Sequence, residues 1–230
     1  METAPSLDGA DGLLPREDRS TTSLLRYLQV YSTGNTEYTV VISSQLPQNL
    51  DDTARSLTAA REVVRIRRLN FPSSSPETLS GYDNLAEMYI TDRQFAEADS
   101  VLGVMDGIFA GAQGDLRPQR ASWLNLKARA TESGQEDLAA ADSLYLASVD
   151  LLRQANPDSP LLPIYLNNTA VNQLNMGEYE RARATFAESL ELVTRLFGED
   201  HPETAVVLEN LGGISYRLGE YEACLANLER

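Results

Sequence analysis

Along residues 160–218, apolar and small side chains recur at a helical period. Leu166, Thr169, Ala170, Gln173 and Leu174 fall at i, i+3, i+4, i+7 and i+8, and 42 residues later Leu208, Leu211, Gly212, Ser215 and Tyr216 repeat the spacing. Such a period predicts helices with one face buried. A second stripe follows the first of these, Tyr179, Ala182, Phe186, Leu190 and Val193, and it is matched upstream by Phe95, Ala98, Leu102 and Phe109. Between the stripes stand the breaks NMGEY and RLGEY, where Gly177 and Gly219 can take the left-handed conformation that ends a helix. The predicted unit is helix, turn, helix.

The unit recurs. His201-Pro202, Ser159-Pro160, Arg117-Pro118 and Ser75-Pro76 lie 42 residues apart, and proline suits the first helical position because its missing N–H would be unpaired there. Each proline therefore predicts a helix start, with Ser75 and Ser159 as good caps and His201 and Arg117 as poorer ones. Two small-residue ladders run in the same phase: Ala86, Ala128, Ala170 and Gly212, then Ala98, Ala140, Ala182 and Cys224. One stripe per hairpin cannot bury itself, so stacked hairpins are required, and the fold class expected is an all-α solenoid. Four units are expected, at about 71–112, 113–154, 155–196 and 197–230, the last truncated within its second helix, so that the chain is expected to continue or to be covered by a partner.

The pattern departs from regularity in places. Gly134 stands one position before its phase, which implies either a one-residue slip or an altered turn; unit one has TDRQF and no glycine, and Gly111 and Gly114 loosen the connection after it. Residues 50–69 read as the second helix of a unit whose first helix has no clear place. Over 21–70 the expectation is N-terminal helices or a degenerate repeat, with a helical start at SLLRYLQVY and an ambiguous β-branched run in STGNTEYTVVISS. Residues 1–20, acidic and carrying Pro and Gly, read as disordered.

The small residue, the Gly-x-Tyr/Phe turn, the following alanine and then an aromatic resemble the tetratricopeptide repeat. The 42-residue period and the FGEDHPET linker resemble the variety found in kinesin light chains and many bacterial signalling proteins. The resemblance covers residues 71–230. It implies a right-handed superhelix whose first helices line a concave groove that binds a protein or extended peptide. By alignment with that family the groove positions are Asp83, Glu87, Asn125, Arg129, Asn167, Val171, Asn175, Glu209, Tyr216 and Arg217. Asn84, Asn168 and Asn210 recur in register; in the family such an asparagine faces the groove and bonds a peptide backbone, and the alternative is a bond within the hairpin. Family members that bind chaperone tails clamp a carboxylate with lysine, arginine and asparagine; Asp83, Glu87, Ile164 and Val206 at the corresponding places argue against that specificity.

Composition narrows the function. The chain has 34 acidic against 19 basic residues, a net of −15, which argues against nucleic acid as the main partner because such proteins neutralise phosphates with a basic stripe. No run of about 18 apolar residues suggests a membrane span, and the N-terminus lacks the pattern of a signal peptide, so a cytoplasmic protein is expected. One cysteine and one histidine cannot build a Cys/His metal cluster, Lys127 is the single lysine, and no phosphate loop, GxGxxG or nucleophile elbow is present. No catalytic residue, metal or cofactor is expected. Cys224 reads as a packed small residue, His201 as a turn residue, and Trp123 either as packing between helices of unit two or as a groove anchor. Arg61, Arg65 and Arg68 align on one helix face, as a solvated or neighbour-contacting stripe or as an anion site.

Two functions follow from this reading. One is a noncatalytic interaction module, with several weak contacts along one ligand adding up on a preformed surface. The alternative is the regulatory or sensory segment of a larger bacterial signalling enzyme, a protein kinase or caspase-like protease, whose catalytic domain lies outside this chain. Self-association through exposed end units is a further partner expectation.

Overall fold

A computed structural model of the protein describes residues 25–31, 37–43 and 50–228. The chain divides into two compact units, residues 1–56 and 57–230. In the first, β1 (Leu25–Tyr31) and β2 (Glu37–Ser43) pair antiparallel with Leu25 opposite Ser43 and Tyr31 opposite Glu37. This corrects the helices expected there: Tyr27, Val30, Tyr31, Tyr38, Val40, Val41 and Ile42 are the β-branched and aromatic types that suit a pleated surface. The segment 1–20 lies outside the described residues.

The rest is helical: α1 (Leu50–Asn70), α2 (Pro76–Thr91), α3 (Phe95–Gly111), α4 (Arg117–Gln135), α5 (Leu138–Ala155), α6 (Leu162–Asn175), α7 (Tyr179–Phe197), α8 (Pro202–Arg217) and α9 (Tyr221–Leu228). From α2 onward they form four successive hairpins. Each helix packs on its neighbours in sequence, and α2 meets α4 as α6 meets α8, so first helices lie beside first helices. The apolar stripes fill the layers between. Leu79, Ala86, Ala98, Leu102 and Met105 close the first hairpin, and Ala170, Ala182, Phe186 and Ile214 join the third to the fourth.

Helix starts follow local chemistry more closely than they follow proline. Ser75 Oγ accepts the Thr78 N–H (3.2 Å) with Pro76 as the first helical residue. At α8, His201 caps through Nδ1, which accepts the Glu203 N–H (3.2 Å), while its ring stacks on Phe197 at 4.6 Å; the residue expected to be a poor cap does the work of one. Arg117 opens α4 with Pro118 behind it, and the Asp115 carboxylate accepts the Arg117 N–H (3.1 Å). Pro160 does not open α6. Ser159 takes the Leu161 N–H on its hydroxyl (3.3 Å) and the Leu162 N–H on its carbonyl (3.0 Å), so Pro160 sits in a turn before the helix and Pro163 stands in its first turn.

Unit two carries a one-residue slip, in the direction opposite to the one Gly134 suggests. Left-handed residues close the first helices at Arg93 (φ 59°), Gly177 (φ 80°) and Gly219 (φ 78°), all in phase, but at Glu136 (φ 55°) the turn falls one position late. Ala141 is then fully buried where the phase would bury Ala140, which stays partly exposed. The offset runs the length of α5. Ser148 Oγ donates to the Ala121 carbonyl (2.7 Å) and Ser189 Oγ to the Pro163 carbonyl (2.8 Å), so the acceptors keep the 42-residue step while the donors are 41 apart. Gly134 is not the turn residue. A Cβ there would meet Phe95 Cγ at 2.8 Å, so its glycine permits α4 to close on the start of α3. Cys224 is half-buried on the last described hairpin.

Candidate interaction groove

The site residues expected from the sequence lie on α2, α4, α6 and α8, the first helices of the four hairpins. Stacking links them by side chains across adjacent hairpins. Arg129 on α4 is ion-paired with Glu87 on α2. Asn168 Nδ2 donates to Asn125 Oδ1 at 3.2 Å, Asn210 Nδ2 to Asn167 Oδ1 at 3.0 Å, and Asn175 Nδ2 to Glu132 Oε1 at 3.0 Å. Each link joins residues 42 or 43 apart, one unit to the next.

These contacts revise the expected roles. Asn168 and Asn210 neither stay within their hairpins nor stand unengaged for a ligand; they bridge to the preceding first helix. Asn125, expected on the surface, is 4% exposed, with Nδ2 enclosed and unpaired. Arg129 is partly exposed, and its charge is already met by Glu87. Val171 is half-buried against the α7/α8 core, whereas Asn175, Glu209, Tyr216 and Arg217 are exposed. Trp123 packs across to the previous hairpin: Nε1 donates to the Leu102 carbonyl (2.9 Å), the ring meets Phe109 edge-on, and Lys127 Nζ lies 4.7 Å above it.

Behind this face lie Tyr145, Tyr165 and Asp142, which sequence reasoning missed, and Asp83, which it had placed in the groove. Tyr145 OH donates to Glu132 Oε2 (2.8 Å), and burial together with the Glu132 charge pushes its hydroxyl far above the usual range. Tyr165, buried on α6, is pushed up to about 12 by burial first, despite a bond to Ser122. Asp83 is pushed up from 3.8 to about 7, by burial first and then by the Glu87 charge, against the lowering effect of a Ser122 hydrogen bond. Gln173 Nε2 reaches Asp142 (3.4 Å), and Asp142 takes Arg181 Nη2 (3.1 Å), tying α5, α6 and α7. A helical stripe identifies a residue as inward-facing; it does not say which inward polar groups find partners.

The basic stripe of α1 is dispersed among separate contacts. Arg61 Nε donates to Tyr89 OH (2.8 Å), Arg65 pairs with Glu62 and Arg68 is exposed, while Arg67 beside the stripe is buried, with Nη1 donating to the Glu77 carbonyl (2.6 Å). Among the described residues no group of His, Cys, Asp and Glu could hold a metal, and no helix is long and apolar enough to cross a membrane.

Comparison with known proteins agrees with this architecture. Residues 161–230 match the tetratricopeptide repeat family model. Among solved structures, BtubC (BKLC) from P. vanneervenii superposes with a TM-score of 0.64 at 21% identity, over 76% of this chain and 70% of that one. The nearly identical TPR-like repeats of a candidate kinesin light chain from Podosopora anserina give a TM-score of 0.59 at 18% identity, over 78% of this chain and 85% of that one. A variant of those same repeats gives 0.60 at 18%, over 78% and 84%. No curated protein matches the sequence. The hairpins from α2 to α9 thus have the fold of a tetratricopeptide-repeat solenoid of the kinesin-light-chain-like kind, and residues 161–230 carry the family's own sequence pattern.

Proposed function

We propose that the protein is a noncatalytic interaction module whose first-helix face binds an extended segment of a partner protein. Repeats of this fold generally serve as protein-interaction modules. The observation that carries the reading is the cross-linked row on α2, α4, α6 and α8: Glu87 to Arg129, Asn125 to Asn168, Glu132 to Asn175 and Asn167 to Asn210 fix neighbouring first helices in one arrangement. A surface held this way needs no ordering on binding, and that saving favours affinity. Because Arg129 is engaged by Glu87, the charge left over along Glu132 and Glu209 is acidic, and a segment with basic side chains complements it.

A partner captured by this chain and identified by mass spectrometry supplies the test. Glu209→Ala should weaken its binding several-fold with helicity unchanged, since a hydrogen bond to charge is worth about 1.5–3 kcal/mol when desolvated, and Asn167→Ala should weaken it by removing the acceptor of the Asn210 link. Arg65→Ala on α1 should change little. Loss of binding in the Arg65 variant alone would move the surface to α1. Tyr216, Tyr221 and Leu225, 64%, 66% and 57% exposed on the last hairpin, favour a second contact in which another helical hairpin stacks on that end. Light scattering over a concentration series would reveal it as a rising mass if the partner is a second copy.

A further inference from the structure

The asparagine links between first helices follow one rule. Position 125 on α4 accepts from position 168 on α6, and position 167 on α6 accepts from position 210 on α8. The same rule would pair Asp83 on α2 with residue 126 on α4. That residue is Leu126, buried at 6% exposure, and it has no donor to offer. Asp83 Oδ1 is accordingly enclosed and unpaired. The step from α2 to α4 is therefore built like the later steps but carries a carboxyl group in place of an amide, and lacks the donor that would complete it.

We propose that the α2/α4 step is a proton-sensitive joint, closed when the Asp83 carboxyl is protonated and loosened when it ionises with Oδ1 unpaired. The groups around it cannot supply the missing compensation. Glu87, one turn on along α2, adds like charge, and Arg129 on α4 is committed to Glu87. Ser122 on α4 offers a single hydroxyl that interacts with both Asp83 and Tyr165 of α6. Tyr165 is held neutral by burial. From the other side, α3 presents Ala98, Leu102 and Met105 to the first hairpin, and α1 directs Arg61 to Tyr89 and Arg67 to the Glu77 carbonyl. A carboxylate in such surroundings is costly unless protonated.

The pH window follows from the direction of the shift. The Asp83 carboxyl is raised in the folded protein from 3.8 to about 7, so the unfolded chain releases its proton first. The contribution to stability is then fully present below about pH 4 and is lost as pH rises to about 7. The joint responds across the neutral range, and it does so whatever the partner on the first-helix face.

Asp83→Asn is the discriminating variant, because asparagine already occupies the matching positions 125 and 167 and the variant should fold. The urea midpoint of the parent should fall between about pH 4 and pH 7 relative to that of Asp83→Asn, whose other carboxylates cancel in the comparison. Carboxyl-carbon NMR should show Asp83 titrating near neutrality, and Leu126→Asn, which restores the donor, should move it down. Amide exchange corrected for intrinsic rate should quicken with pH in α2 and α4 and not in α8. Parallel midpoints for parent and Asp83→Asn, or an Asp83 carboxyl that titrates near its ordinary value of 3.8, overturns the proposal.

Discussion

The one-residue offset of α5 makes a sharp prediction, because strict periodicity and the structure name different alanines. Ala141 is fully buried beside Ala128 and Tyr145, whereas Ala140 keeps part of its surface in water. Ala141→Leu inserts three carbon atoms into a closed helix contact, and overpacking of this kind costs about 1–3 kcal/mol. Ala140→Leu extends a side chain along a partly open face, where leucine is nearly as good a helix former as alanine, and the change should stay within about 0.5 kcal/mol. Ala182→Leu, at the fully buried position on α7, should behave like Ala141→Leu. With a urea slope of about 2 kcal/mol per molar, a loss of about 2 kcal/mol lowers the midpoint by about 1 M at unchanged slope. If Ala140→Leu proves the costlier of the two α5 variants, the offset is wrong and α5 follows the regular phase.

Two further outcomes test the backbone assignments. Gly107→Ala, in the middle of α3 with open space around its would-be Cβ, should stabilise by about 0.5–1 kcal/mol, whereas Gly134→Ala should destabilise because Phe95 stands 2.8 Å from the added carbon. Thermal melts that move in the same direction for both would remove Phe95 as the reason for Gly134. Glu136→Gly should stabilise by about 1 kcal/mol, since Glu136 holds a left-handed conformation that glycine adopts without penalty. A neutral or negative result in calorimetry would show that the turn carries no such strain.

Periodicity and turn chemistry by themselves determined the helical hairpins, because the burial of one helix face leaves its mark on every third or fourth residue. Thus Ala86, Ala98, Ala170, Ala182 and Phe186 are all fully buried, and Gly177 and Gly219 take the left-handed conformation their breaks require. The pattern likewise put the expected site residues on first helices, since a fixed step returns each position to the same element of the hairpin. It did not decide the strands at 25–31 and 37–43, whose β-branched and aromatic residues serve either structure until pairing selects one. It showed that unit two departs from phase, but only packing distinguished slip from altered turn, because the Phe95 contact that demands Gly134 lies about forty positions away in sequence. Side-chain partners were beyond it for the same reason. Whether Arg129 is free or paired, whether Asn125 is surface or interior, and whether Asp83 finds a donor are settled by which residue the neighbouring hairpin places opposite, and that is a property of stacking.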